Sequence, residues 1–382
     1  MTIDPERLAA TFTRLCETDS PSRCEGQMAQ LMREICTGLG AAAIDEDDSA
    51  AVTGSECGNL LIRFDGDPTL EPVLLSCHLD TVEPGTGVRV VRQGDTFTSA
   101  GDTILGADDK AGIAAIVEAL HALHEEGQPH APLELLLTTC EEIGLLGAKA
   151  FDVSRLRSRL GYALDTSGMG RVVLAAPASN RLHISVRGVA AHAGLNPEAG
   201  LNAIRLAALA LAQAPCGRID RESTVNFGTI RGGTASNIVP DLVEIHGEVR
   251  SHSEAKLDTL TEEICRCFSE ATRLMANLPD GRERALAEVR VLRDFPAMRI
   301  GKEEPVARRI AAAAAHIAMP LEFTVAGGGS DANILSGQGI PTVIVASGMR
   351  QVHSTAEHAH LPELVRLSEL LCALLRPLPT VD

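Results

Sequence analysis

At 382 residues the chain exceeds the size at which a single core stops growing, so two domains are expected. Apolar residues make up 45% and charged residues 22%, the balance of a globular protein; with no Trp and one Tyr, the core has to be built from Ala, Leu, Val and Ile. A formal net charge of −17 argues against nucleic acid and anionic membrane as partners, because both require a basic face. Ten cysteines are present and none form a C-x-x-C pair. No signal pattern opens the chain, since Met1-Thr2-Ile3-Asp4-Pro5 is polar and an amphipathic segment follows, and no apolar run is long enough to span a bilayer. These features predict a cytoplasmic protein with reduced thiols, most of them core filler.

In chain order, the pattern predicts a helix over 24–40, buried strands over 59–64 (NLLIRF) and 72–77 (PVLLSC), and a hairpin over 88–98. A helix over 110–126 precedes buried strands over 132–139 (PLELLLTT) and 161–165 (GYALD). Short apolar strands separated by helices predict an α/β domain with a mostly parallel sheet. The pattern changes near Pro177. An alternating strand over 180–188 and an Ala/Leu-rich helix over 198–214 lead to strands over 222–231 and 238–250, a long helix over 253–276 and a strand over 284–292. The order β-α-β-β-α-β is the ferredoxin-like pattern. Alternation of helix with apolar strand then returns, with helices over 303–318, 331–337 and 361–376 and strands over 321–325 and 341–346. The expected architecture is one α/β domain, residues 1–176 and 293–382, interrupted by an inserted domain over 177–292.

Five short segments carry candidate chemistry. Ser76-Cys77-His78-Leu79-Asp80 follows a buried strand, at the end where ligand sites of open α/β sheets collect. Residues two apart on an extended segment face the same way, so His78 and Asp80 can converge. A carboxylate beside a metal-binding His fixes its tautomer, although the same pattern also makes a capped turn. Asp108 and Asp109 open the helix at 110 between two glycines; tandem acids there act as N-caps, or one carboxylate bridges two cations. Glu141 and Glu142 end another buried strand. Adjacent side chains diverge, so one acid suits a metal and the other a bound water; the pair also suits a helix dipole. Asp165 ends a third strand, and His353 follows the strand at 341–346. Together these are nitrogen and oxygen donors suited to zinc, manganese or cobalt. Cys77 and Cys140 each precede a metal-site residue, so alternation turns their side chains into the core and away from any metal.

HLDTVEPG, GADDKAGIAAI, CEEIGLLGA, ALDTSG, HAGLNPEAG, SNIVPD and HSTAE stand in the order seen in M20-type metallopeptidases, and the chain resembles that family over nearly its whole length. The run GGGSDAN at 327–333 is most similar to the peptidase T-like branch, whose best-known member is a tripeptidase. The resemblance implies two divalent metal ions, zinc first and manganese or cobalt as alternatives, and an inserted lid that also forms a homodimer. It implies that His78 and Asp165 bind one metal, Glu142 and His353 the other, and the Asp108 carboxylate bridges them, its bond to Asp109 being the place of a cis peptide. Glu141 matches the general base and Asp80 the acid supporting His78. His192 in the lid matches a residue that stabilises the oxyanion, in several members from the partner subunit. Asn237 and Arg250 match substrate contacts, and Arg suits a peptide C-terminal carboxylate. Gly328 and Ser330 lie in a loop that binds substrate backbone, or else forms a plain turn capped by Asp331.

The function expected from the resemblance is exopeptidase cleavage of the N-terminal amide bond of a small peptide, by metal-activated water with Glu141 as base. Two other readings stay open: an M20-type N-acyl amino acid deacylase or carboxypeptidase, which shares the metal site, and a metal-binding homologue without catalysis.

Overall fold

The structure is a computed structural model that describes residues 2–274 and 287–377. The described residues divide into two compact units: one from Met1–Ala175, Arg299–Ala326 and Ser330–Asp382, the other from Ala176–Met298 and Gly327–Gly329.

The first unit is built on a nine-stranded sheet. At its centre Leu133–Thr138, Val73–His78, Gly161–Thr166 and Thr342–Ala346 lie side by side and parallel. Leu60–Phe64 and Ala43–Glu46 extend one side and Arg171–Ala176 the other, all antiparallel to their inner neighbours. Strands covered on both faces read as unbroken apolar runs, and every residue of Val73–His78 and Leu133–Thr138 is buried. Because the four central strands run the same way, their C-terminal ends share one edge. That edge carries His78, the loop to Glu141 and Glu142, Asp165, and the loop to His353. The helices Pro5–Cys16, Ala107–Glu126 and Leu361–Leu375 pack on one another, with Arg7 Nε donating 2.8 Å to the buried Glu118.

The second unit is an antiparallel sheet in the order Gly217–Arg218, Ser223–Gly232, Leu242–Ser251, Ala178–Arg187, Ala287–Phe295. The helices Ala203–Gln213 and Glu254–Leu274 supply Leu206, Ala207, Leu257, Ile264 and Phe268 to a core with Leu182, Ile184, Val186, Val243, Ile245 and Val249. The strand that comes first in sequence lies inside the sheet and the last lies at its edge, which is the ferredoxin-like order.

The differences from the expected elements have local causes. The helix expected from 198 begins at Ala203, capped by the Asn202 side chain on the Arg205 amide, because Pro197 and Gly200 break the preceding turn. The strand expected from 238 begins at Leu242, after Pro240, which has no N–H to give a ladder. Helix Pro5–Cys16 and strand Arg171–Ala176 are additional to the expected elements. The last two residues of the helix expected over 253–276, and the first three of the strand expected over 284–292, lie outside the described residues. The hairpin expected over 88–98 forms as Val90–Gln93 with Thr96–Ser99, and His358–His360 adds a third strand to it.

Candidate metal centre

Four of the expected ligands meet at the sheet edge. His78 Nε2 lies 3.1 Å from Asp108 Oδ1, and His353 Nε2 lies 3.3 Å from Asp108 Oδ2. The two oxygens of one carboxylate therefore face two different imidazoles. His353 Nε2 also lies 3.0 Å from Glu142. His78, Asp108 and Glu142 each offer a ligand atom within 4.8 Å of the others. Asp165 ends the strand Gly161–Thr166 at the same edge, and its charge adds to the burial that raises the Glu141 carboxyl.

The loops explain these positions. Asp108 and Asp109, joined by a cis peptide, depart from helical backbone inside the helix that starts at Ala107. Neither side chain caps that helix, contrary to the simplest expectation for acids there. The reason is Glu357, a buried carboxylate whose Oε2 accepts the amides of Leu105 and Gly106 at 2.8 and 2.7 Å and whose Oε1 accepts that of Asp108 at 3.0 Å. The glycine at the other side of the pair is required by packing: a Cβ on Gly112 would stand 2.8 Å from Leu164 Cβ and 3.0 Å from Cys77 Sγ.

Asp80 stands beside His78 and also holds a neighbouring loop. His78 Nδ1 bonds the Asp80 main-chain oxygen at 2.8 Å, while the carboxylate stands 3.6 Å away. The same carboxylate accepts three further hydrogen bonds: the amide of Glu141 at 2.9 Å, the amide of Glu142 at 3.2 Å and the Ser22 hydroxyl at 2.6 Å. Asp80 thus pins the loop that carries both glutamates. Glu25, buried, braces the same loop by accepting the Cys140 amide at 2.9 Å and the Ser55 hydroxyl at 2.5 Å. Glu25 and Ser22 carry no signal in the sequence, and Glu357 stands in the HSTAE motif without a sign of its role, because each reaches the site through a partner more than fifty residues away.

Charge makes the cluster demanding. Burial raises the carboxyl of Glu141 well above the usual range, and the nearby Asp165 adds to it. Burial likewise lifts Asp165, with Asp108 adding to it, and lifts Asp331 to about 6. Burial also works against Asp108, but hydrogen bonds from His353 and His78 overcome it and hold that carboxyl below its ordinary value. The bonds to Asp108 and Glu142 push His353 up to about 10. Acids that are costly to ionise in a buried place, set around two imidazoles, are a donor set that divalent cations satisfy. Nitrogen and oxygen donors without sulfur fit zinc, manganese or cobalt.

The thiols stay out of it. Cys140 Sγ donates to Glu25 at 3.3 Å, and burial pushes the thiol up to about 12. Cys77 is buried beneath Gly112, and burial raises its thiol well above the ordinary value. Cys77→Ala and Cys140→Ala are each expected to leave metal content intact by elemental analysis; loss of one metal per chain in either would show it to be a ligand.

The other candidates fall in separate places. In the second unit His192 is exposed, and its Nδ1 accepts the amides of Gly194 and Leu195 at 3.2 Å, which leaves the proton on Nε2. Asn237 is exposed beside it, its main-chain oxygen accepting the Ala193 amide. Arg250 donates 3.0 Å to Glu248, its Nε has no partner among the described residues, and a Cβ on Gly328 would stand 3.6 Å from its NH1. Ser330 belongs to the first unit and is buried; its hydroxyl accepts the Ala332 amide at 3.2 Å. It, and not Asp331, caps the helix Asp331–Gly337. Asp331 instead accepts the Thr138 hydroxyl at 2.5 Å, tying that helix to the end of strand Leu133–Thr138.

Residues 74–376 match the model of peptidase family M20/M25/M40. The chain belongs to peptidase family M20. Among solved structures, this M20 chain is similar to the aminopeptidase PepT of Bacillus cereus, at 38% identity and a TM-score of 0.89 over 98% of both chains. A tripeptidase of Staphylococcus aureus is similar at 31% identity and a TM-score of 0.91, again over 98% of both. The uncharacterised protein YqjE of Bacillus subtilis is 38% identical over 98% of both sequences. Peptidases of the M20 family are metal-dependent, which agrees with the donor set of this M20 chain.

Proposed function

We propose that this peptidase removes the N-terminal residue of short peptides, tripeptides foremost, at a pair of divalent cations. One observation carries the two-cation reading: the oxygens of Asp108 face His78 and His353 separately. Full-length similarity to proteins named aminopeptidase and tripeptidase supports the substrate class. His78 and Asp165 would hold one cation, Glu142 and His353 the other, and Asp108 both. When bound, the cations supply Lewis acidity and lower the pKa of water.

The remaining chemistry belongs to side chains. The Glu141 carboxyl has no hydrogen bond among the described residues, while its amide is fixed to Asp80. It is therefore held in place yet free to take a proton from attacking water and pass it to the leaving amine. His192, with its proton on Nε2, donates to the developing oxyanion. Asn237 and Gly328 contact the peptide, and Arg250 pairs with its C-terminal carboxylate. Ser330 contacts the peptide from the same loop, its hydroxyl accepting the Ala332 amide in the cap and keeping a proton to donate.

A homodimer through the inserted unit and a cytoplasmic location belong to the same proposal. Exposed Ile204, Leu209 and Ile230 on that unit support the first. The second is supported by the free cysteines.

The test incubates the purified protein with zinc, manganese or cobalt and a panel of tripeptides, dipeptides and N-acyl amino acids, read by mass spectrometry. Release of the N-terminal residue from tripeptides is the expected result. Cleavage of acylated amino acids alone would move the protein to the deacylase reading, and no turnover with metal bound would make it a binding protein.

A further inference from the structure

An α-helix leaves its first amides without intrahelical partners, and nearby acids ordinarily supply the caps. At the mouth of Ala107–Glu126 the cap position is Gly106, which has no side chain, and the nearest acids are Asp108 and Asp109. Yet Asp108 turns both oxygens away, to His78 and His353. It is free to do so because the amides of Leu105, Gly106 and Asp108 itself all donate to Glu357. Glu357 is 1% exposed and comes from more than two hundred residues downstream. It follows His353 by four residues, so one loop brings both an imidazole of the centre and the clamp.

We propose that Glu357 is the positioning residue of the metal centre: by satisfying the amides at the helix mouth it keeps the Asp108 carboxylate available to bridge. It acts through Asp108. The inference rests on the metal-centre reading above. A carboxylate is the matching group, because it is acceptor-only and its two oxygens serve three donors. An amide in its place sets an N–H donor against a main-chain N–H donor. The freed amides then compete for the nearest carboxylate, Asp108.

The experiment compares the metal-free wild-type protein with Glu357→Gln by calorimetric titration with zinc and with manganese, and by the thermal midpoints of the metal-free and loaded forms. Metal affinity is expected to fall about 10–100-fold, the usual loss when a residue that orients a ligand is changed. The rise in midpoint on metal binding should shrink with it. Glu357→Asp keeps the charge but reaches one methylene less, and should show a smaller loss; if Glu357→Gln does not fold, it carries the comparison. A merely structural role lowers the metal-free midpoint and leaves the affinity of the folded protein at the wild-type value, which would overturn the inference, as would no change at all. Absence of metal uptake by the wild-type protein would overturn the metal-centre reading and this inference with it.

Discussion

Glu141→Ala is expected to keep the wild-type metal content and to lower kcat by about 10²–10⁴-fold, the usual share of a positioned proton-transfer group. The expectation rests on how the loop divides its two glutamates. Glu142 meets His353 at 3.0 Å, whereas the Glu141 carboxyl has no hydrogen bond among the described residues. Removing Glu141 leaves both imidazoles, Asp108 and the Asp80 anchor in place. Metal analysis of the variant separates a lost base from a lost ligand. If turnover stays within a few-fold of wild type, Glu141 is not the proton carrier; if metal content drops, it is a ligand instead. Glu141→Gln keeps the size of the side chain without its basicity, so it should fall with the alanine variant and not with the wild type.

Much of the fold is legible in the sequence because buried parallel strands are unbroken apolar runs. PVLLSC and PLELLLTT differ from the alternating NRLHISVRG of the inserted unit as two-sided burial differs from one-sided. The Arg171–Ala176 strand is hidden because Pro177 alone separates it from Ala178–Arg187, and a proline between two apolar stretches reads as a boundary with no strand before it. At the site, residues at the ends of parallel strands can be gathered from sequence, since such ends share an edge. What cannot be read is the support. The spacing of Asp80 suggests a partner for His78, but it does not reveal that the same carboxylate also accepts the amides of Glu141 and Glu142 and the Ser22 hydroxyl. The tandem acids resemble helix caps because Glu357, which takes that work, is remote in sequence. Long-range competition for hydrogen bonds leaves no local signal.

That same competition sets up the other large expected effect. Asp108→Asn should weaken binding of one cation far more than the other and lower kcat by roughly 10²–10³-fold, because Lewis-acid assistance is worth several kcal/mol and about 1.36 kcal/mol is a factor of ten. Asparagine offers one oxygen where aspartate offers two, so it can serve the His78 side or the His353 side but not both. His353→Ala provides the contrast. His353 is half-exposed and its Nε2 meets Glu142 and one oxygen of Asp108, so its loss should empty one position and leave the buried His78 side occupied. Titration would then show one tight and one weak cation in both variants, while the wild type takes up two. The two variants should differ in which cation suffers: His353→Ala leaves the His78 side untouched, whereas Asp108→Asn also removes negative charge from it and should weaken the retained site too. Two equivalents bound by Asp108→Asn with wild-type affinity would mean that the carboxylate does not bridge, and the separate contacts of its oxygens would then be hydrogen bonds and nothing more.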